Sequence, residues 1–188
     1  MLPEQDTRAI LTADDVRAIV REEIERAMKK DPAARRARLI ASKGTLDFAY
    51  PPLILATAAA AAGLDTAVFF TFYGLNIIHK DFAKKLKVSA VGNPGMPMPV
   101  PMPDIVTALP GMTAMATRMM KSMFAKKHVA TIHELLDAAR ESDVRLIACQ
   151  MTMDVFDYKQ DAFIEGVEFG GAAAFLSEAR KSHVTLFI

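Results

Sequence analysis

Residues Thr66–Tyr73 read TAVFFTFY, β-branched and aromatic with no charge, which is the composition of a strand covered on both faces. Cover on both faces points to a parallel sheet, because crossover connections lay helices against each side. Neighbouring segments fit that plan. Arg38–Ser42 (RLIAS) reads as a buried strand closed by a Lys43-Gly44 turn, and Val144–Ala148 as another, flanked by Asp143 and Arg145 and ending on Cys149. Helical patterns lie between them. Phe48–Leu64 runs 17 residues without a charge, with Pro51-Pro52 near its start and Gly63 as a stop. Asn76–Leu86 places Ile78, Phe82 and Leu86 on one side. Thr131–Glu141 opens on a capping box of Thr131 and Glu134 and buries Ile132, Leu135, Leu136 and Ala139. Tyr158–Gly166 fits no single pattern. Gly170-Gly171 then opens a helix through Arg180, and His183–Ile188 (HVTLFI) is the closing strand. Alternating strands and helices joined by short links predict right-handed crossovers and an α/β fold with a parallel sheet.

Two stretches stand outside this alternation. Thr12–Lys30 is a helix capped by Thr12 and stopped at Asp31-Pro32, with a narrow stripe of Val16, Val20, Ile24, Ala27 and Met28. So narrow a stripe suits docking on a neighbour, and residues 1–34 are expected to form a helical arm beside a domain at 35–188. The second stretch is 92–123. Six of the ten prolines fall within Pro94–Pro110 and eight of the twelve methionines within Met96–Met123. Each proline removes a donor and fixes φ, so GNPGMPMPVPMP forms neither a regular helix nor a central strand. Helix can resume over Met112–Lys126. The thioethers suit a lid, an oligomer contact or a peripheral membrane contact better than a solvated loop. An apolar arm and a Met-rich insertion on one chain predict a homo-oligomer.

Charge narrows the function. Lys and Arg number 23 against 22 Asp and Glu, a net charge of +1, which gives no electrostatic footprint for nucleic acid. One cysteine forms no internal disulfide, and MLPEQDTRAI has neither a basic n-region nor an apolar h-region, so a cytoplasmic setting is expected. The uncharged run at Phe48–Leu64 falls short of the about 20 apolar residues of a membrane span and is broken by prolines. A buried crossover helix accounts for it.

The chemistry-bearing residue types are few. Cys149 sits where a strand ends, and in open α/β sheets ligands gather beyond the carboxyl ends of strands. A free cysteine is also often just a small buried hydrophobe. Asp154 follows in the same loop, with Glu165 and Glu168 flanking Gly166 farther on; capping or surface roles are the simpler reading of these acids. His79, His128, His133 and His183 show no metal-ligand spacing. Gly92-x-x-Gly95 lacks the Lys-Ser/Thr of a phosphate loop and the third glycine of a dinucleotide fingerprint. No metal and no cofactor is expected.

The stretches AVFFTFYGLNII, LPGMTAMATRMMKSM, ATIHELLDAA, LIACQMTMDVF and FIEGVEFGGAAAFL, taken in order, resemble the DsrE/DsrF-like family of sulfur-relay proteins. The likeness is to its longer branch, often labelled peroxiredoxin-like, and runs from about Arg38 onward. It implies a flavodoxin-like parallel sheet sandwiched by helices. It also implies a sulfur carrier that holds sulfane sulfur as a persulfide on Cys149; Asp154, from its position in the same loop, is the second candidate site residue. TusA-like or rhodanese-like proteins are the implied donors and acceptors. The branch commonly continues its cysteine motif with Met-Gly, where this chain has Phe156-Asp157. The chemistry agrees with one cysteine: a persulfide relay needs one sulfur nucleophile, whereas disulfide exchange within the chain needs two. A one-cysteine peroxidase would carry Thr/Pro-x-x-x-Thr/Ser-x-x-Cys, and Leu146 fills the Thr/Ser position instead. The competing expectation is an oligomeric assembly or membrane-adapter protein with an inert cysteine.

Overall fold

The computed structural model describes residues 35–89 and 111–188, together with Ile19 and Glu22. The expected arm helix over Thr12–Lys30 lies outside the described residues except at Ile19 and Glu22, which are helical. The proline-rich part of the insertion, 90–110, also lies outside them. The chain divides into two compact units, Met1–Ala34 and Arg35–Ile188, and the second holds the sheet.

Five parallel strands lie in the order β4-β3-β2-β1-β5. They are β1 (Arg36–Ala41), β2 (Asp65–Phe70), β3 (Arg145–Cys149), β4 (Val167–Gly170) and β5 (Val184–Phe187). The expected parallel sheet between helices is present. In the flavodoxin order the first strand lies between the second and third; here β1 lies between β2 and β5. From β1 to β4 each step moves one place the same way, so right-handed connections put those helices on one face. The step from β4 to β5 runs back across the whole sheet and puts its helix on the other.

The two hydrophobic clusters follow that division. On the first face, Leu39, Val68, Phe70, Leu146 and Ala148 pack with α1 (Leu46–Ala61) and α4 (Ile132–Glu141). On the second, Ala67, Phe69, Ile147 and Cys149 pack with Phe175 and Ala179 of α6 (Ala172–Ala179). Successive strand residues alternate between the two, as the pleat requires. Helix α1 buries Leu46, Ala49, Leu53 and Ala56 along one stripe, and its prolines fall in the second turn because it starts at Leu46, ahead of the expected Phe48. The capping box of α4 forms as its residues predict: Thr131 Oγ1 accepts from Glu134 N–H, and the Glu134 carboxylate accepts from Thr131 N–H.

After β2 the expected helix over Asn76–Leu86 is not continuous. A short α2 (Leu75–Ile78) stops at His79, whose backbone turns extended to pair with Phe163. Ile164 N–H donates to Ile78 O and Lys80 N–H to Ala162 O, so pairing with a distant segment overrides the local apolar period. A 3-10 turn at Ala83–Lys85 follows. The later part of the insertion is helical as expected: α3 (Met112–Lys126) starts after Gly111, at φ +90°, a conformation that favours glycine. Its Thr117 Oγ1 accepts from Val88 N–H, and Phe124 meets Tyr50 edge-on at 4.7 Å, which ties α3 to the domain. Strand β4 was not anticipated, because its four residues, VEFG, carry a charge and end on glycine. The helix after it starts at Ala172, with Gly171 as its N-cap.

Among the described residues one charged side chain, that of Arg38, is enclosed. Arg38 points to the α6 side of the sheet and is 1% exposed. Its guanidinium donates to Asp65 O at 2.7 Å, to Asp65 Oδ2 at 3.0 Å and to Glu178 Oε2 at 3.2 Å. Arg145 extends the network, reaching Glu178 at 2.8 Å and Glu168 at 2.8 Å. These bonds hold the Glu168 and Glu178 carboxyls below the ordinary range: the Arg145 bond overcomes burial at Glu168, and at Glu178 burial is outweighed by Arg145 and Arg38.

Candidate functional site at the end of strand β3

Strand β3 ends on Cys149, which is also the N-cap of α5 (Gln150–Phe156). The strand's apolar residues place it in the interior of the sheet, and the pleat sends Ala148 to the α1 side and Cys149 to the α6 side. The thiol is 2% exposed and makes no cap hydrogen bond to α5. Its register partner on β4 is Gly170. With no side chain at Gly170, the flank of Cys149 toward the edge of the sheet is left uncovered by its neighbour. A Cβ at Gly170 would meet only Ile147 Cγ2, at 3.3 Å.

The turn after β2 closes over the same end of the sheet. Thr71 keeps an extended backbone, and Phe72 then turns to φ +48°, a left-handed conformation that costs a non-glycine residue about 1–2 kcal/mol. Three contacts hold it. Phe72 N–H donates to Thr152 Oγ1 at 3.2 Å, Thr71 and Thr152 hydroxyls lie 3.3 Å apart, and Gly74 N–H donates to Thr71 O at 2.9 Å. Gly74 is obligatory here, because a Cβ would sit 2.0 Å from Ala41 O; a Cβ at Gly44 would likewise meet Tyr73 O at 2.0 Å. The loops after β1 and β2 therefore touch backbone to backbone. Phe72, Tyr73, Met151 and Val155 remain exposed on the two segments that flank this end, and Tyr73 packs against Phe156 at 5.7 Å.

Asp154 lies on α5 and is exposed, with no side-chain hydrogen bond or ion pair to a described residue. Glu168 is engaged with Arg145, and Glu165 is exposed before β4 begins, so neither joins the cysteine end of the sheet. His79 is buried against Phe82, Tyr158 and Phe163, and Asp81 N–H donates to its Nδ1 at 3.2 Å. Among the described residues no group of three or more His, Cys, Asp or Glu could hold a metal ion. An open depression of about 480 Å³, lined by Arg140, Glu141, Arg145 and Glu168, lies at the amino end of β3, away from the thiol. Sequence reasoning found Cys149 but passed over Thr71, Thr152 and Gly170. Two threonines and a glycine gain meaning only once pairing brings β2, β3 and β4 side by side.

A single sulfur nucleophile at the carboxyl end of a central strand suits covalent carriage of a small group, and the comparisons with known proteins agree in kind. The pattern of the DsrE/DsrF/DrsH-like family matches residues 33–187. The chain belongs to this family. It is 50% identical over 158 residues to the sulfur carrier protein DsrE2 of Allochromatium vinosum, covering 82% of this chain and 98% of that protein. It is 29% identical over 155 residues to the uncharacterized protein YrkE of Bacillus subtilis, covering 82% and 97%. The ychN protein of E. coli has a similar fold in its crystal structure, with a TM-score of 0.50 at 13% identity, covering 82% of this chain and 99% of that one. The family match begins just before β1 and ends at Phe187, the last residue of β5, so it takes in the whole sheet. No helix among the described residues is long and apolar enough to cross a membrane.

Proposed function

We propose that this member of the DsrE/DsrF/DrsH-like family is a cytoplasmic sulfur carrier that holds sulfane sulfur as a persulfide on Cys149. The observation that carries the reading is the half-identical sulfur carrier DsrE2, whose match covers 82% of this chain. The chain's one cysteine supports it. Loading takes the form of transpersulfidation: the Cys149 thiolate attacks the outer sulfur of a donor persulfide, the donor S–S bond breaks, and the donor leaves as a thiolate. Proteins of the TusA-like or rhodanese-like kind, with a persulfide or thiol at their own surface, are the donors and acceptors this chemistry requires. Asp154, on the outer face of α5, is proposed to meet such a partner. Exposed Leu176 and Phe187, the latter 74% exposed, favour a homo-oligomer.

Mass spectrometry after incubation with inorganic polysulfide tests the reading. Wild type is expected to gain one or more sulfur atoms that a reductant removes, and Cys149→Ser none. Equal loading of the variant overturns it. The burial of Cys149 favours a second reading, an assembly protein with an inert cysteine. Iodoacetamide separates the two: a carrier's thiol reacts in the native protein near neutral pH, and an inert one only after unfolding.

A further inference from the structure

We propose that the Thr71 hydroxyl, polarised through Thr152, donates a hydrogen bond to the outer sulfur of the Cys149 persulfide and holds that sulfur as its anion. This rests on the persulfide reading above.

Proton accounting leads to it. A hydroxyl brings one donor and two acceptor lone pairs. Thr152 Oγ1 already accepts from Phe72 N–H at 3.2 Å and lies 3.3 Å from Thr71 Oγ1. The two threonines bring two hydroxyl protons, and their mutual contact uses one. Among the described residues the other has no acceptor. If Thr152 donates to Thr71, the bonds run with one polarity, from the Phe72 amide through Thr152 to Thr71, and each strengthens the next. The spare donor is then on Thr71.

Register places that donor. Strands β2 and β3 pair through Phe70 and Ala148, and Thr71 continues extended at φ −133°, ψ 158°, its N–H donating to Ala41 O at 3.0 Å. Thr71 and Cys149 are thus each one residue beyond the Phe70–Ala148 pair, Thr71 just past the end of β2 and Cys149 the last residue of β3. Phe70 and Ala148 face α1, so the alternation turns Thr71 and Cys149 to the other side together. No described residue hydrogen-bonds Sγ itself. A second sulfur stands about 2.05 Å beyond Sγ. Thr71 therefore addresses the outer sulfur and leaves the resting thiol alone.

The step balances. Cys149–S⁻ and R–S–SH give Cys149–S–SH and R–S⁻; one S–S bond forms as another breaks, the donor's inner sulfur takes the electron pair, and nothing is oxidised or reduced overall. A persulfide is a stronger acid than a thiol, so the loaded group then releases its proton to water. The anion so formed is what Thr71 binds, while Thr152 acts as a positioning residue.

The full chain is loaded with inorganic polysulfide as wild type, Thr71→Val, Thr71→Ser and Thr152→Val, and the pH midpoint of persulfide alkylation by iodoacetamide is measured. Thr71→Val and Thr152→Val are expected to raise the midpoint by about one pH unit, a tenfold loss of anion stabilisation. Thr71→Ser is expected to keep the wild-type midpoint, which a purely structural role for the methyl group would not reproduce. Should circular dichroism show that Thr71→Val does not fold, Thr71→Ala carries the same comparison. A wild type that loads, with valine variants at the same midpoint, overturns the hydroxyl assignment alone. A wild type that takes up no sulfur overturns the persulfide reading and this assignment with it.

Discussion

Cys149 on β3 and Gly170 on β4 are register partners, so the thiol's neighbour toward the edge of the sheet has no side chain. A side chain introduced at Gly170 tests whether reagents reach Cys149, itself 2% exposed, past that position. Gly170 has no left-handed φ, and its one close neighbour is the tip of Ile147. Gly170→Val is therefore expected to fold, since β-branched residues suit a strand, and to slow native alkylation of Cys149. The expected slowing is about tenfold, with the pH profile of the reaction unmoved, because access and not thiol acidity changes. Stopped alkylation followed by mass spectrometry measures both, and an unchanged rate would show that reagents reach the sulfur another way.

Arg38 offers a test of what an enclosed charge contributes. Asp65→Asn with Glu178→Gln removes both carboxylates that face it. Leaving the guanidinium buried and unpaired is expected to cost about 3–5 kcal/mol. Adding Arg38→Met to that pair is expected to recover part of the loss, because the charge is gone. Urea unfolding of the three proteins decides; a triple variant less stable than the double would contradict the account.

His79 gives stability a pH dependence of definite sign. Burial lowers its pKa, and the nearby Asp81 carboxylate only partly opposes this. The folded protein thus keeps it neutral while the unfolded chain protonates at about 6.5. Stability from this group is present above that pH and falls as pH drops toward the lowered folded value. Glu168 and Glu178, also lowered, add a second decline below about pH 4.3. Urea midpoints are expected to fall from pH 7 to pH 5. His79→Asn, whose Oδ1 can accept from Asp81 N–H in place of Nδ1, should flatten that part of the curve.

The core itself predicts a larger effect. Leu53 is 0% exposed where α1 meets the first face of the sheet. Leu53→Ala is expected to cost about 2–5 kcal/mol in urea unfolding while leaving sulfur loading of the folded fraction intact.

Most of the architecture was legible from residues whose pattern is local. Thr66–Phe70 announced its strand by composition, Thr131 and Glu134 announced their cap, and Met112–Lys126 was found with its boundaries. What escaped was set by distant partners. His79 breaks an apolar period because Phe163 pairs with its backbone. Val167–Gly170 becomes a strand because β3 supplies a template on which VEFG can pair. The same holds at the site: Cys149 stood out as the lone sulfur nucleophile, whereas Thr71 and Thr152 are 81 residues apart and are joined only by folding.

The return of the chain from β4 to β5 also sets an order of events. The cover over Cys149's face, α6 with Phe175 and Ala179, is made after the cysteine strand, and β5 pairs with β1, the chain being tied just beyond both strands by Ser42 N–H to Ile188 O at 2.8 Å. Contacts spanning most of a domain form late, since a long loop must close first. On a ribosome, the cysteine therefore emerges and waits uncovered until residues 172–188 follow. A nascent chain stalled before Gly171 presents Cys149 without the α6 cover that the finished fold lays over that face of the sheet.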